Sequence, residues 1–360
     1  MAHPVHRGAL IGCGFIAHQK HLPALAKLQD RIQLVAFCDL IEARAQQAAA
    51  QYGAPDAAVY TDYRQLLRRG DIDVVYILTP NRSHCELAVA ALEAGKDVLC
   101  EKPMALNGAE AKRMCEAAKA SGRRLTIGYQ NRSRLDSRYL KQVVRQGELG
   151  EIYLAKAHAV RRRGIPTWGV FLNEAEQGGG ALIDIGTHAL DLALWLMDNY
   201  EPKRVSGSVY KKLGRGDTAG NAFGPWDNKK ITVEDSAFGT IVMKNGATVF
   251  LEASWALNTL DTREQQVTLC GTAAGADMDD GVRINSVVAG ALCETRPQLR
   301  QLGVPGEDLN KSEADFEAQQ WLDALDAGTP PLVLPEQAMV VTQILEAIYT
   351  SARTGREVEF

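Results

Sequence analysis

Short apolar runs alternate with helix-like segments along the first third of the chain. The runs that are apolar enough to form buried strands are Arg7–Gly12, Ile32–Asp39, Asp73–Pro80, Asp97–Pro103 and Leu125–Tyr129. The helix-like segments between them, with Gly or Pro at the joins, are Glu42–Tyr52, Glu86–Ala94 and Gly108–Ser121. Apolar strands separated by helices predict an α/β domain with a doubly wound parallel sheet over residues 1–125.

The pattern changes after about residue 125. One helix, Leu135–Gln146, precedes strands that alternate between apolar and polar residues: Ile152–Val160, Arg204–Lys212, Ser236–Met243, Thr248–Trp255 and Gln265–Cys270. Lys244-Asn245-Gly246 reads as a hairpin turn, and residues 313–327 and 335–353 read as two late helices. We therefore expect a second domain, residues 126–360, of the α+β class with a large, mostly antiparallel open sheet. Residues 214–230 are expected to form a mobile loop.

Composition excludes several classes of protein. The chain has 360 residues with 46% hydrophobic and 23% charged, and its net charge of -4 gives no reason to expect nucleic acid or an anionic membrane as partner. The start does not read as a signal peptide, and no stretch approaches the roughly 20 apolar residues that span a bilayer. Seven scattered cysteines indicate reduced thiols. These features predict a cytoplasmic protein.

A glycine motif follows the first strand. Gly12-Cys13-Gly14-Phe15-Ile16-Ala17 has the form G-x-G-x-x-A, in which one glycine makes the tight turn and the next lets a pyrophosphate approach the backbone. We expect Gly12, Gly14, Phe15 and Ile16 to bind a dinucleotide in a Rossmann domain. An ordinary strand–helix turn is the alternative.

Asp39 ends the second strand, where a carboxylate would bind the ribose 2′-hydroxyl of the nucleotide. It could equally be the N-cap of the following helix, and both roles are compatible. No Arg or Ser adjoins it to hold a 2′-phosphate, so we favour NAD over NADP.

Two further strand ends carry polar residues. Thr79, Asn81 and His84 are expected along the nicotinamide side of the cofactor, although His84 could simply begin a helix. Glu101-Lys102-Pro103 lies where open α/β sheets place their ligands. We expect Glu101 and Lys102 to face the cofactor, with partly buried Lys102 donating hydrogen bonds to a reacting oxygen.

The segment Gly178–Asp191 holds two carboxylates and an imidazole among apolar residues. A helix from about Asp184 would place Asp184 and His188 on one face, with Asp191 close to it. A satisfied hydrogen-bond network of the core is the alternative interpretation. A metal site is disfavoured, since no further Cys/His cluster supplies a third ligand, and we predict none.

The motifs GCGFIA, TPNRSH, EKP and GGGALIDIGTHALD, in this order, resemble those of the Gfo/Idh/MocA family of sugar and inositol oxidoreductases. The resemblance implies a Rossmann domain and an α/β domain whose open sheet builds dimers or tetramers. It places Lys102, Asp184 and His188 at the catalytic positions, with NAD as cofactor and a sugar or glycoside as substrate. Ala17 in place of a third glycine is a tolerated departure.

The stretch from Arg161 to Phe171 resembles the subgroup that oxidises the glucosyl C3 hydroxyl of glycosides, including C-glycosides. The resemblance implies a substrate site of Tyr129, Arg132, Arg163, Trp168, Asp184 and His188. A solvated strand edge and a core aromatic are the alternative interpretations of the Arg run and of Trp168.

The chemistry expected is reversible oxidation of a secondary alcohol, with His188 as general base and Lys102 stabilising the charge on the oxygen. Which of the two carries the proton stays open, as do the substrate and whether NAD leaves after each turnover. An NAD-using glycosidase, which oxidises, eliminates and reduces, and a non-enzymatic sugar-responsive regulator are the alternative functions.

Overall fold

The structure, a computed structural model, describes residues 5–299 and 311–360. The chain divides into two compact units. Unit 1 holds the described residues up to Gln130 together with Lys311–Met339, and unit 2 holds those from Asn131 to residue 299 together with Val340–Phe360. This differs from the division expected after residue 125, because a late segment returns to complete the N-terminal unit.

Unit 1 contains a six-stranded sheet in which every neighbouring pair is parallel. Its strands are β1 (His6–Ile11), β2 (Ile32–Cys38), β3 (Ala58–Tyr60), β4 (Val74–Ile77), β5 (Asp97–Cys100) and β6 (Leu125–Ile127). Their order across the sheet is β3-β2-β1-β4-β5-β6. The chain therefore runs outward from β1 in both directions, which confirms the doubly wound Rossmann sheet.

The helices of unit 1 are α1 (Leu22–Ala26), α2 (Glu42–Tyr52), α3 (Tyr63–Leu67), α4 (His84–Glu93), α5 (Gly108–Ser121) and α9 (Glu313–Ala327). A π-helical turn, Ala17–His21, precedes α1. Helix α9 begins with a capping box between Ser312 and Asp315. Its buried Trp321 and Leu322 join a core cluster that also contains Leu10, Phe37 and Tyr76.

Unit 2 contains a nine-stranded sheet. Its strands are β7 (Ile152–Val160), β8 (Pro202–Tyr210), β9 (Ser236–Met243), β10 (Thr248–Ser254), β11 (Glu264–Gly271), β12 (Gly275–Asp277), β13 (Arg283–Val288), β14 (Ala291–Thr295) and β15 (Val358–Glu359). Their order is β14-β13-β12-β11-β7-β10-β9-β8-β15. Only the β7–β10 pair among these strands is parallel, so the expected open and mostly antiparallel sheet is confirmed.

Unit 2 also contains helices, two of which contact this sheet. The helices are α6 (Leu135–Arg145), α7 (Glu174–Gln177), α8 (Thr187–Met197) and the later part of α10 (Pro335–Thr354). Helix α8 packs on β7 and β11, and Ile348 of α10 packs where Gly207 and Gly239 leave room between the strands. On the sheet there is also a groove of about 510 Å³, whose lining includes Lys156, His158, Phe238, Thr240, Phe250 and Glu252.

One helical stretch, Glu174–Met197, has the length and apolar composition of a membrane span, so the expectation that no stretch approaches such a length was wrong. Most of it, 89% of the apolar window, is buried inside the protein. The helix is apolar because it is a core helix of unit 2, with Leu190, Leu192 and Leu194 all fully buried.

Candidate active site

The glycine motif of unit 1 forms the turn between β1 and the first helical residues. Gly12 has φ of +97°, and a Cβ there would lie 2.6 Å from the carbonyl carbon and oxygen of Leu78. Only glycine fits such a position. Gly14 has the opposite surroundings, since a Cβ there would meet nothing within 4 Å. The turn therefore leaves open space above Gly14, where a bulky anionic group could reach the backbone.

The residues after Gly14 begin a helical segment at the same turn. Phe15 is 62% exposed, Ile16 is half-buried, and Ala17 is fully buried at the start of the π-helical turn. A small residue at position 17 lets the helix pack closely against the sheet, as the sequence predicts.

Asp39 braces the glycine turn. Its Oδ2 accepts a hydrogen bond of 2.8 Å from the backbone N–H of Cys13, and its Oδ1 accepts one of 2.9 Å from the N–H of Ile41. The expectation that Asp39 could be the helix N-cap was wrong, because Ile41 occupies the N-cap of α2. Asp39 instead turns the chain toward the helix and fixes the peptide between the two glycines, so its carboxylate stays at the carboxyl edge of the sheet.

His84 is buried beneath the carboxyl edge of the sheet and is not exposed at it. It is 0% exposed, with Nδ1 2.8 Å from the carbonyl oxygen of Pro103 and Nε2 2.9 Å from that of Thr79. Burial lowers the pKa of His84, although the two carbonyls favour its protonated form. The expectation of direct cofactor contact is corrected, because both ring nitrogens are engaged by backbone. His84 ties the strand end carrying Thr79 and Asn81 to the one carrying Lys102.

Glu101 is likewise buried, at 4% exposure. Its Oε1 lies 2.8 Å from Lys20 Nζ and 2.8 Å from His21 Nε2, and its Oε2 accepts 2.9 Å from the backbone N–H of Lys102. These partners correct the expectation that the Glu101 side chain faces the cofactor. Lys102 itself is half-buried after β5, and its peptide bond to Pro103 is cis. Lys20 and His21 were missed by sequence reasoning, because nothing local marks their partner 80 residues away.

In unit 2 the triple glycine Gly178–Gly180 leads into the helix that carries Asp184 and His188. A Cβ on Gly179 would lie 2.0 Å from Tyr349 Oη, and one on Gly180 would lie 2.0 Å from the Glu234 carbonyl oxygen. The Glu234 carboxylate accepts from the N–H groups of Gly180 at 2.8 Å and Leu182 at 2.9 Å. Burial raises the pKa of Glu234, and these N–H donors oppose the rise. Glu234, unnoticed in the sequence, therefore anchors the start of the helix.

Asp184 lies on a π-helical turn, Leu182–Gly186, and not on a regular α-helix as expected. Its Oδ2 accepts a hydrogen bond of 3.0 Å from the indole Nε1 of Trp255. His188 lies in the first turn of α8 and is 4% exposed. Single π-turns recur at functional sites because they reorient side chains relative to a regular helix.

Arg132 and Asp191 form a closed ion pair in the core. Arg132 Nε and Nη2 lie 2.9 and 2.6 Å from the two carboxylate oxygens of Asp191, and both side chains are 0% exposed. Tyr200 Oη adds a contact of 3.2 Å to Arg132. The expectation that Arg132 binds substrate was wrong, because the guanidinium is directed into the core by a bidentate partner. For Asp191, the core-network alternative is correct.

Trp168, a predicted substrate residue near the Arg run, belongs to a partly exposed aromatic cluster. The ring of Trp168 lies edge-on to Phe223 at 4.9 Å and to Phe171 at 5.9 Å. Arg161 lies 5.7 Å over the Phe223 ring and acts electrostatically on Asp184, while Arg163 donates to Asn258 at 2.8 Å. Tyr129, in unit 1, is 1% exposed. Residues 214–230 are irregular, but Trp226 within them is buried and bonded to the Gly214 carbonyl.

No group of three or more His, Cys, Asp or Glu side chains within residues 5–299 and 311–360 is arranged to hold a metal ion.

Comparisons with known proteins match almost the whole chain. Residues 6–129 match the family model described as oxidoreductase family, NAD-binding Rossmann fold, and residues 137–277 match the GFO/IDH/MocA C-terminal domain. The chain is 38% identical over 354 residues to D-glucoside 3-dehydrogenase of Escherichia coli K12, covering 98% of this chain and 97% of that protein.

Two solved structures share the fold. The aldose-aldose oxidoreductase of Caulobacter crescentus complexed with glycerol superposes with a TM-score of 0.80 at 25% identity, covering 99% of this chain and 100% of that one. Levoglucosan dehydrogenase in complex with NADH and levoglucosan gives 0.83 at 22% identity, covering 99% of both chains.

The open backbone at Gly14, the carboxylate of Asp39 and the family match make unit 1 an NAD-binding domain. The protein is therefore an NAD-dependent oxidoreductase of the sugar dehydrogenase class. It belongs to the Gfo/Idh/MocA family.

Proposed function

We propose that this protein oxidises the C3 hydroxyl of a glucoside to the 3-oxo form, reversibly and with NAD. The observation that carries the proposal is the 38% identity, across almost the entire length, to a D-glucoside 3-dehydrogenase. The braced glycine turn in unit 1 and the anchored Asp184–His188 helix in unit 2 support it. C-glycosides are the finer substrate class that the Arg161–Phe171 stretch suggested.

When bound, NAD supplies the acceptor for the hydride that leaves the carbinol carbon. His188 takes the hydroxyl proton, since imidazole is the side chain whose ordinary pKa lies nearest neutrality. Lys102 donates a hydrogen bond to the same oxygen and stabilises the negative charge that develops there. Asp184, oriented by the indole of Trp255, holds a neighbouring hydroxyl of the sugar.

Thr79, Asn81, Phe15 and Ile16 are proposed to contact the cofactor. Asp39 would accept from the ribose while its oxygens also hold Cys13 and Ile41. The half-buried ring of Trp168 offers an apolar face to the pyranose, with Phe223 and Phe171 holding it edge-on. Arg163 and Tyr129 complete the proposed substrate contacts.

We also propose that the protein is a cytoplasmic homo-oligomer, a dimer or tetramer. All seven cysteines lie among the described residues and none is in a disulfide, which fits a reducing compartment. The groove on the sheet of unit 2, with Phe250 40% exposed, supports a self-association face.

The test is turnover of a panel of glucosides and free sugars, with NADH absorbance as readout and NMR of the product to locate the new carbonyl. A 3-oxo glucoside is expected from the wild-type protein. Lys102→Ala and His188→Ala should each lose about 100-fold or more of kcat/KM while retaining NAD binding. Unchanged turnover in both variants would refute the catalytic assignment.

Two results would redirect the proposal. Release of aglycone without net NADH would identify the glycosidase reaction. Binding of sugar or nucleotide with no turnover of any substrate would identify a regulator. Denaturing the purified protein and measuring released nucleotide determines whether NAD exchanges or stays bound through the cycle.

A further inference from the structure

A buried ion cluster in unit 1 joins Glu101 of the EKP motif to Lys20, His21 and Glu317, which no sequence motif singled out. Lys20 Nζ is 2.8 Å from Glu101 Oε1, 2.8 Å from Glu317 Oε2 and 2.8 Å from Gln130 Oε1. His21 Nε2 shares Glu101 Oε1 at 2.8 Å. Lys20 is only 7% exposed, so the cluster is shielded from water and its interactions are strong.

The cluster joins three segments of the chain. Lys20 and His21 end the π-helical turn that follows the glycine turn, Glu101 directly precedes Lys102, and Glu317 lies on α9. The other oxygen of Glu101 accepts from the backbone N–H of Lys102 at 2.9 Å. One carboxylate therefore connects the ammonium of Lys20 to the backbone of the lysine that we place at the reacting oxygen.

The charges make this connection depend on Lys20. Burial would raise the pKa of Glu101, but the Lys20 ammonium and the hydrogen bonds from His21 and Lys20 lower that pKa well below its usual value. Without Lys20, the buried carboxylate of Glu101 and the partly buried carboxylate of Glu317 would lose the cation that they share. Glu101 would then take up a proton or move toward water, and in both cases its hold on the Lys102 backbone would change.

Stabilisation of the fold does not by itself account for the cluster. Within the described residues, Glu317 Oε1 and the nearby Tyr76 hydroxyl are buried with no hydrogen-bond partner, and each such group costs free energy. Buried ion pairs are often no more stabilising than apolar residues of similar size. The cluster can instead fix the position of Lys102, because the Glu101 carboxylate holds the Lys102 backbone N–H in one direction. Apolar side chains in the same place would not supply that hydrogen bond.

We propose that Lys20 is a positioning residue for Lys102, acting through the carboxylate of Glu101. The proposal rests on the catalytic role of Lys102 stated above. A small displacement of a reacting group lowers turnover strongly, and about 1 Å can cost on the order of 100-fold. Lys20 lies six residues after Gly14 of the glycine turn. The contacts from Lys20 through Glu101 therefore also connect the segment that follows the glycine turn to Lys102.

The chain offers a matched control. Lys27, on the same helical segment, pairs with Asp315 of α9 at 2.7 Å but has no contact with Glu101. Lys20→Met and Lys27→Met each remove one lysine–α9 ion pair. Only Lys20→Met removes the link to Lys102, so the comparison separates positioning from attachment of α9.

The experiment measures kcat, the KM for NAD and backbone amide exchange on the full-length variants. Lys20→Met should lower kcat about 10- to 100-fold with the KM for NAD changed by less than about threefold. Lys27→Met should stay within about twofold of wild type. The double variant Lys20→Met with Glu101→Gln should lower kcat no further than Glu101→Gln alone. Both substitutions break the same connection, from Lys20 through Glu101 to the Lys102 backbone.

Amide exchange makes the test independent of the substrate. Deuterium uptake at the Lys102 amide should accelerate about tenfold or more in Lys20→Met and stay at the wild-type rate in Lys27→Met. If the wild-type protein turns over no glucoside, the proposed function fails, yet this exchange result still decides the positioning link. Equal changes in both variants, or no change in either, would overturn it. If Lys20→Met does not fold, Lys20→Met with Glu317→Gln removes one cation and one anion together and serves in its place.

Discussion

Arg132 and Asp191 show how a polar residue can resemble a ligand in the sequence and be structural in the fold. Their bidentate pair has no exposed surface, and burial raises the pKa of Asp191 while the Arg132 charge opposes the rise. Removing one member of such a pair leaves a buried charge alone, which is far more costly than removing both.

We therefore predict that Arg132→Met destabilises the protein by about 3–5 kcal/mol, because Asp191 is left uncompensated. The measurement is the free energy of unfolding in urea. Arg132→Met with Asp191→Leu should recover a large part of the loss. A variant Arg132→Met with normal stability and a raised KM for the sugar would instead favour the substrate role that the structure contradicts.

The glycines before Asp184 give a second prediction at this scale. Gly180→Ala should destabilise unit 2 by about 1–3 kcal/mol, because the new Cβ would lie 2.0 Å from the Glu234 carbonyl oxygen and the helix start would have to shift. Gly216→Ala, whose nearest neighbour would be 3.4 Å away, is the control and should change stability little. Denaturant midpoints of the two variants measure the difference, and equal midpoints would contradict the steric explanation.

Among elements, the connection between β4 and β5 depends on His84. Its two ring nitrogens face the carbonyls of Thr79 and Pro103, and a neutral imidazole can donate to only one of them. Burial nevertheless lowers its pKa below the ordinary 6.5. Between the lowered value and 6.5, the unfolded chain binds the proton and the folded chain does not.

Stability should therefore fall as the pH drops below about 6.5, by at most about 1.4 kcal/mol per pH unit from this one group. The measurement is the free energy of unfolding of wild type and His84→Gln from pH 8 to pH 5. The variant lacks the titrating group, so its curve should be flatter across this range. Parallel curves would show that His84 contributes nothing to the pH dependence.

The regular elements could be predicted closely where the periodicity is strong. The bounds of α2, α5, β7 and β9 agree with the sequence expectation, and the hairpin turn at Gly246, with φ of +92°, joins β9 to β10 as expected. Strand β3 was missed because three half-buried residues leave no clear alternation. The pair β13–β14 was missed because its residues are mostly exposed.

Within the candidate site, too, the residues that could be predicted are those with a local signature in the sequence. Gly12 could be identified because a turn with positive φ has a local signature. Lys20, Glu234 and Glu317 could not, because each is defined by a partner more than 50 residues away. For Glu101 and His84 the location was correct and the contact was wrong, since sequence position does not reveal which way a side chain points.

At the scale of the molecule, the groove on the sheet of unit 2 predicts association. Phe250→Glu would place a charge beside Glu252 in the proposed association face and should lower the mass in solution toward that of the monomer. Light scattering after size-exclusion chromatography measures it. Val5→Glu, at 43% exposure against 40% for Phe250, is the control. An unchanged mass for Phe250→Glu would show that copies of the chain meet elsewhere.

The return of α9 to unit 1 has a consequence for synthesis. The core around Leu10 and Tyr76 is completed by Trp321 and Leu322, which leave the ribosome some 190 residues after the last strand of the parallel sheet. While the sheet of unit 2 is being made, the nascent Rossmann sheet thus lacks part of its cover and the carboxylate of Glu317. Unit 1 is therefore the first unit to be started and is completed only when α9 has been made. A newly made chain can hold NAD in the finished geometry of unit 1 only near the end of translation.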